Sequence, residues 1–216
     1  MYKKISDEDM LSKKLLNARN NIIKMLDYRG YETSNIPLIS EKEIKILEEL
    51  NSKKNVYPFD LTFSKKNDEI IDVQFIFTMI NVKKLEERIQ KYFENKDDTS
   101  KYNLILIIMN KDTENILQNK AYQLYQTYKY FTQIFFIDIL QNNIVDHSFV
   151  PRHILLDKET ENEVLKKYAI DSKRKLPYIT KYDPMAKYIG MKPGNLCKII
   201  RKSCTAGEYV SYRYCV

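Results

Sequence analysis

Glycine is scarce in this chain and unevenly placed: of four, three stand at positions 190, 194 and 207, inside one ordered run of prolines and basic residues. Glycine costs conformational entropy and mainly supplies positive φ, so a chain this poor in it keeps it where the backbone demands it. The C-terminal quarter is therefore expected to be a small unit whose turns are set by sequence. Asp183 reads as a helix N-cap, with Pro184 at the first helical position, where a missing N–H is no loss. Ala186 and Tyr188 carry that short helix to Gly190, which suits a left-handed C-terminal cap. Pro193-Gly194 has the chemistry of a type II turn. Residues 196–202 alternate well enough for a strand, Thr205-Ala206-Gly207 makes a second turn, and 208–214 returns as the partner strand.

The front of the chain reads as mixed α/β. A helix opens at Ser6, carries Met10, Leu11, Leu15, Ile22, Met25 and Leu26 on or near one face, and stops at Arg29-Gly30. Ser40 and Glu43 have the form of a capping box for a second helix reaching Leu50. Residues 59–63 and 71–77 look like paired strands with a turn at 65–68 between them. Val82, Leu85, Ile89 and Phe93 mark a helix by spacing, 102–109 a buried strand, 112–128 a helix and 132–140 another strand. Strands alternating with helices imply a sheet with covering helices. No glycine- or serine-rich linker separates front from back, and the domain boundary is set near 147/148 by Asp146, Ser148 and Pro151.

Charge and cysteines narrow the function classes. Residues 1–150 balance 22 Lys and Arg against 22 Asp and Glu, while 151–216 hold 14 against 7, so the net charge of +7 lies entirely in the C-terminal part. Such a basic unit faces nucleic acid or an acidic partner. Its densest points are Lys166-Lys167, Lys173-Arg174-Lys175 and Arg201-Lys202. No run reaches the roughly 18 apolar residues of a membrane span, and the N-terminus leads into acidic residues rather than a secretory leader, so no membrane partner is expected. Cys197, Cys204 and Cys215 lack metal-ligand spacing and read as reduced thiols.

Val150-Pro151-Arg152-His153, Leu176-Pro177 with Ile179, Asp183-Pro184 with Ala186, Tyr188 and Gly190, Lys198-Ile199-Ile200-Arg201, and Thr205-Ala206-Gly207 with Tyr209 and Tyr212-Arg213 together resemble RNA polymerase subunit five. The match covers the assembly domain of that shared eukaryotic protein, whose archaeal counterpart lacks a jaw, over about 148–216. Residues 1–147 resemble the family's jaw domain more faintly, through Asp27-Tyr28-Arg29-Gly30-Tyr31 and Asp60-Leu61-Thr62. The resemblance implies an α/β jaw with a nuclease-like sheet and a small α+β assembly domain ending in a β-hairpin. It implies a non-catalytic subunit, without a cofactor, that anchors to the largest polymerase subunit among other polymerase subunits. Asp183, Pro184, Tyr188, Lys198, Arg201, Thr205, Ala206, Gly207, Tyr209 and Arg213 would then face the partner. Lys173, Arg174 and Lys175 would lie near downstream duplex DNA, bound non-specifically. The chain departs from the family at Pro193 and Glu208, where arginines are usual, and at Lys202-Ser203-Cys204. That drift and the heavy use of Lys, Asn and Ile favour a large DNA virus, hence virion and host cytoplasm, over an AT-rich eukaryote and its nucleus.

Other chemistry is weaker. Asp60, then Asp72-Val73-Gln74 after a hairpin, has the layout of metal-dependent nucleases that pair two carboxylates with a lysine. Gln74 replaces the lysine and Phe59 displaces the first aspartate, so no catalytic residue and no Mg²⁺-dependent cleavage are expected. His147 and His153 read as surface or capping residues rather than metal ligands. Tyr122, Tyr125 and Tyr128 recur at helical spacing and read as a half-buried face before a base-stacking platform. The competing function class is a stand-alone nucleic-acid-binding or degenerate nuclease-like protein.

Overall fold

The computed structural model describes residues 7–37, 39–40, 42–44, 46, 59–109, 114–203, 205 and 207–216. The chain divides into two units, Met1–Asn142 and Asn143–Val216. The division falls a few residues before the 147/148 expected from sequence, because the short 3₁₀ turn Ile144–Asp146 groups with the second unit.

In the N-terminal unit, α1 (Asp7–Tyr28) buries a stripe centred on Leu15 and Ile22, with Ser12, Arg19 and Leu26 on one margin and Ala18 and Met25 on the other. Met10 falls outside that stripe, whereas Leu11 is in line with it one turn before Leu15, towards the start of the helix; both are exposed. The helix ends in a Schellman motif: Gly30 takes φ 81°, its N–H donates to the Asp27 carbonyl, and the Tyr31 N–H donates to Leu26 at 3.0 Å. Ser40 and Glu43 form the expected capping box, with the Ser40 N–H donating to Glu43 Oε2 at 2.7 Å. Residues 42–44 and 46 of that expected helix are helical, while 45 and 47–50 lie outside the described residues, as do Ser6 and Asp112.

Four strands follow, β1 (Leu61–Ser64), β2 (Ile70–Ile76), β3 (Tyr102–Ile108) and β4 (Thr132–Phe136), ordered β1-β2-β3-β4. β1 and β2 are antiparallel across a tight turn in which Asp68 holds φ 60°. β2–β3 and β3–β4 are parallel, each pair joined by a crossover helix: α2 (Val82–Glu94), then α3 (Glu114–Tyr128). Leu85, Ile89 and Phe93 of α2 and Leu117, Ala121 and Leu124 of α3 share one core with the even-numbered side chains of β3 and β4. The odd-numbered side chains Ile71, Val73, Phe75, Ile105, Ile107 and Phe135 are buried on the opposite face. Arg29, just past α1, is tied to that face by donating to Gln133 Oε1 at 2.8 Å.

β4 is shorter than the 132–140 strand read from sequence. Its last residue pairs with Ile108, where β3 stops, so nothing remains to pair with beyond it. The chain coils into a 3₁₀ turn at Ile139–Gln141 that leaves Ile139 exposed. Phe59, expected to open β1, instead packs its ring at a tilt against Phe75 and Phe77.

The C-terminal unit is a four-stranded sheet of β5 (Arg152–Leu155), β6 (Tyr178–Ile179), β7 (Leu196–Ser203) and β8 (Gly207–Cys215), ordered β5-β7-β8-β6. β7 and β8 form the expected terminal hairpin. α4 (Lys158–Lys167), capped by Asp157, packs Val164 with Leu156, Leu196, Tyr212 and Tyr214 on one side. α5 (Pro184–Tyr188) buries Met185, Ala186 and Tyr188, and Ile179, Cys197, Ile199 and Cys215 are buried on the odd-numbered side of the sheet. No helix among the described residues is long and apolar enough to cross a membrane.

Candidate interaction surface

The turns that position the hairpin follow from local chemistry. Asp183 Oδ1 accepts from the Met185 and Ala186 amides at 2.8 and 3.2 Å, satisfying the free donors at the start of α5, and Pro184 sits in the first turn. Gly190, at φ 73°, ends α5 in a second Schellman motif, with Met191 N–H donating to Ala186 at 2.9 Å. The Asn195 N–H donates to the Lys192 carbonyl, closing a turn in which Gly194 holds φ 97°. Asn195 Oδ1 also accepts from the Lys192 amide at 2.7 Å, a contact that sequence reading did not single out.

Glu161 on α4 is buried at 3% exposure; its Oε1 accepts from the Leu196 amide at 2.8 Å and its Oε2 pairs with Lys173. Lys173 also donates to the Gly194 carbonyl. One carboxylate thus ties α4, the 3₁₀ turn Lys173–Lys175 and the start of β7 together. Nothing in the pattern around Glu161 marks it, because a glutamate in an exposed-looking helix turn reads as solvated.

The hairpin register sets the odd-numbered face. Arg201 lies opposite Tyr209 and Cys197 opposite Arg213, so both arginines share one face, but only Arg201 is near the turn. From sequence both are expected to flank it; the pairing shows Arg213 at the far end of the hairpin. His153, paired with Ile199 on β5, is on the same face and is buried rather than a surface residue, its Nδ1 within 2.8 Å of the Pro151 carbonyl oxygen. Burial lowers its pKa; the Pro151 contact and Asp183 oppose that, while Arg201 and Arg213 add to it. Burial likewise raises the Cys197 and Cys215 thiols to about 11, so neither is a reactive thiolate.

The other expected partner-facing residues distribute as follows. Asp183 is half-buried as a cap, Tyr188 is buried in the core, Lys198 is half-buried on β7 opposite Tyr212, and Pro184 and Thr205 are exposed. Gly207 opens β8 at φ 70° opposite Ser203, and Ala206 lies outside the described residues, as does Cys204. Arg201 and Tyr209 are exposed, Tyr209 at 59%. Arg174 and Lys175 are exposed, with Lys175 paired to Asp171 at 2.6 Å, whereas Lys173 is engaged by Glu161.

In the N-terminal unit the carboxylates of the nuclease-like layout are held internally. Asp72 accepts from Tyr92 Oη at 2.7 Å and Thr62 Oγ1 at 2.5 Å, Gln74 accepts from Arg88 Nε, and Asp60 accepts from the Phe75 amide. Tyr125 packs edge-on against Phe131 and Tyr128 stacks on Tyr130, while Tyr122 accepts from Gln126.

The fold's C-terminal sheet and its turns coincide with a known family: the RNA polymerase Rpb5 C-terminal domain matches residues 142–215. Along the whole chain, the Dictyostelium discoideum protein called DNA-directed RNA polymerases I, II, and III subunit rpabc1 is 32% identical, with 94% of this chain and 98% of that protein covered. The chain belongs to the RNA polymerase Rpb5 family. The equivalent subunits of Caenorhabditis briggsae and Caenorhabditis elegans are 29% and 27% identical, each over 98% of this chain and all of the relative. The match to full-length Rpb5 relatives includes the N-terminal unit, so the mixed sheet and its two crossover helices belong to the same relationship as the hairpin.

Proposed function

We infer that this chain is a non-catalytic subunit of a multisubunit DNA-directed RNA polymerase. The observation that carries this is identity at 32% along nearly all of the chain to a subunit shared by RNA polymerases I, II and III. The hydrogen bonds that Asp60, Asp72 and Gln74 make to the Phe75 amide, Thr62, Tyr92 and Arg88 agree with a structural role. In this reading residues 148–216 are the assembly domain and anchor the chain to the largest polymerase subunit. Residues 1–147 are the jaw, built on a nuclease-like sheet, beside downstream duplex DNA. The exposed Arg201 and Tyr209 and the half-buried Arg213 support the hairpin as the partner-facing surface, because arginine and tyrosine on an exposed face are the residue types that anchor interfaces. The drift at Pro193 and Glu208 supports a viral source, whose polymerase would act in virion and host cytoplasm; a cellular one would act in the nucleus with the relatives named above.

Copurification tests the reading. The full chain, coexpressed with the other polymerase subunits of its source, is expected to be recovered in a complex with the largest subunit. Arg201→Ala is expected to reduce that recovery about tenfold with little change in the unfolding midpoint, since an exposed guanidinium contributes to recognition more than to the core. Recovery of the wild-type chain alone, free of large subunits, would overturn the subunit reading.

A further inference from the structure

β8 is nine residues long, yet β6 pairs with it only at Tyr214 and Cys215. Antiparallel pairing alternates which residues turn their backbone groups toward the neighbour. Cys215 N–H donates across to the Asn195 carbonyl at 2.9 Å, so by alternation Arg213, Ser211 and Tyr209 face β7. Tyr214 faces the other way, its N–H donating to the Pro177 carbonyl at 2.9 Å, and Val216 does the same toward Ile179. Tyr212, Val210 and Glu208 therefore turn their amides and carbonyls outward along the same edge. The segment before β6 makes no main-chain bond to them among the described residues. Among the described residues no strand pairs with this stretch.

Proteins blunt such edges with proline, bulges, very short strands or dense charge, because an open edge templates pairing with another chain. Here the edge is long and carries Tyr209, Val210 and Tyr212, with Tyr209 and Val210 exposed at 59% and 37%. A strand laid beside it would place alternate side chains on the two faces. One face presents Tyr209, Ser211 and Arg213, with Arg201 on the next strand, and neither guanidinium is ion-paired among the described residues. The other face presents the exposed Val210 beside Tyr212, whose half-buried ring packs against Tyr168 and the Leu156, Val164 and Leu196 core, so this face is apolar and aromatic. The matching segment carries carboxylates on one side and apolar groups on the other.

We propose that an extended segment of a partner polymerase subunit, alternating acidic and apolar side chains, adds as a strand to the outer edge of β8 at residues 208–212. The proposal rests on the subunit reading above and names how that partner is held: main-chain bonds give the register, and the arginine face selects acidic residues. Duplex DNA would meet the arginines through phosphate and leave the alternating amides open.

Hydrogen exchange on the wild-type chain, free and within the copurified polymerase, tests this without a variant. After exchange the complex is quenched at low pH and read residue by residue. The expected result is that the Val210 and Tyr212 amides slow by about tenfold or more on assembly, while Tyr209 and Ser211, bonded within the hairpin in both states, change little. Unchanged Val210 and Tyr212 amides in an intact complex would overturn the edge proposal while leaving the subunit reading standing. Protection of this edge by added duplex DNA alone would also overturn it. As a second readout, Val210→Pro removes an outward N–H that β7 does not use, whereas Val210→Ala keeps it. Recovery with the large subunits is expected to fall about tenfold for Val210→Pro and less than about twofold for Val210→Ala, at matched folded concentration. Equal recovery of both variants would overturn the proposal.

Discussion

The Asp60 carboxyl accepts from the Phe75 amide at 3.0 Å and is partly withdrawn from water, which raises its pKa to about 6. Burial is the main cause and Asp72 adds to it, while the amide bond and Arg88 pull the other way. A carboxyl whose folded pKa exceeds its unfolded value of about 3.9 contributes stability below that value, and the contribution is lost as pH rises through about 6. His153 acts in the opposite sense: its folded pKa is depressed, so its contribution is present above the unfolded value of about 6.5 and lost as pH falls. The two slopes oppose each other in the whole chain, and a variant is needed to separate them. Asp60→Asn keeps an acceptor for Phe75 and removes the titration. We expect it to unfold like wild type near pH 4 but to be about 1–2 kcal/mol more stable at pH 7.5, after discounting the shift for partial solvent exposure. Denaturant midpoints at the two pH values measure this, and an unchanged difference between them would show that folding leaves the Asp60 pKa where it is in the unfolded chain.

At the level of elements, the hairpin turn depends on one conformation. Gly207 holds φ 70° and a Cβ there would meet nothing within 4 Å, so any cost of substitution is backbone strain rather than a clash. Gly207→Val should cost about 1–3 kcal/mol, because a β-branched residue tolerates that region poorly. Gly207→Asn should recover most of it, since asparagine visits the left-handed region more readily. Equal destabilisation by both, measured by chemical unfolding, would place the cost in packing instead. Turns of this kind were legible in sequence because glycine and proline act locally: Gly30, Gly190 and Gly194 all hold the positive φ their positions imply. The capping box at Ser40 and the cap at Asp183 are local in the same way, and so are the caps at Asn81 before α2 and Asp157 before α4, which the sequence reading did not single out. What depends on a distant neighbour was less legible. The end of β4 is decided by where β3 stops, the separation of Arg201 from Arg213 by hairpin register, and the burial of Glu161 and His153 by strands distant in sequence.

For the whole chain, the charge is divided unevenly between front and back. The N-terminal 150 residues are neutral on balance, and residues 151–216 hold 14 basic against 7 acidic side chains. Two of those basic side chains are already committed, since Lys173 pairs with Glu161 and Lys175 with Asp171. Arg174 and Lys202 are exposed without an ion pair among the described residues. If duplex DNA meets the C-terminal unit, each phosphate contact releases counterions and adds about 0.9 to the slope of log affinity against log salt. We therefore expect the full chain to bind duplex DNA weakly, without sequence preference and with a steep loss on adding salt. Arg174→Ala and Lys202→Ala should each lower the slope by about one unit, whereas Lys83→Ala and Lys91→Ala, exposed on α2, should leave it unchanged. Titrations between about 50 and 200 mM salt separate the cases. If the α2 lysines lowered the slope as much as Arg174 and Lys202, the DNA-facing charge would belong to the N-terminal unit and the compositional asymmetry would serve the protein partner alone.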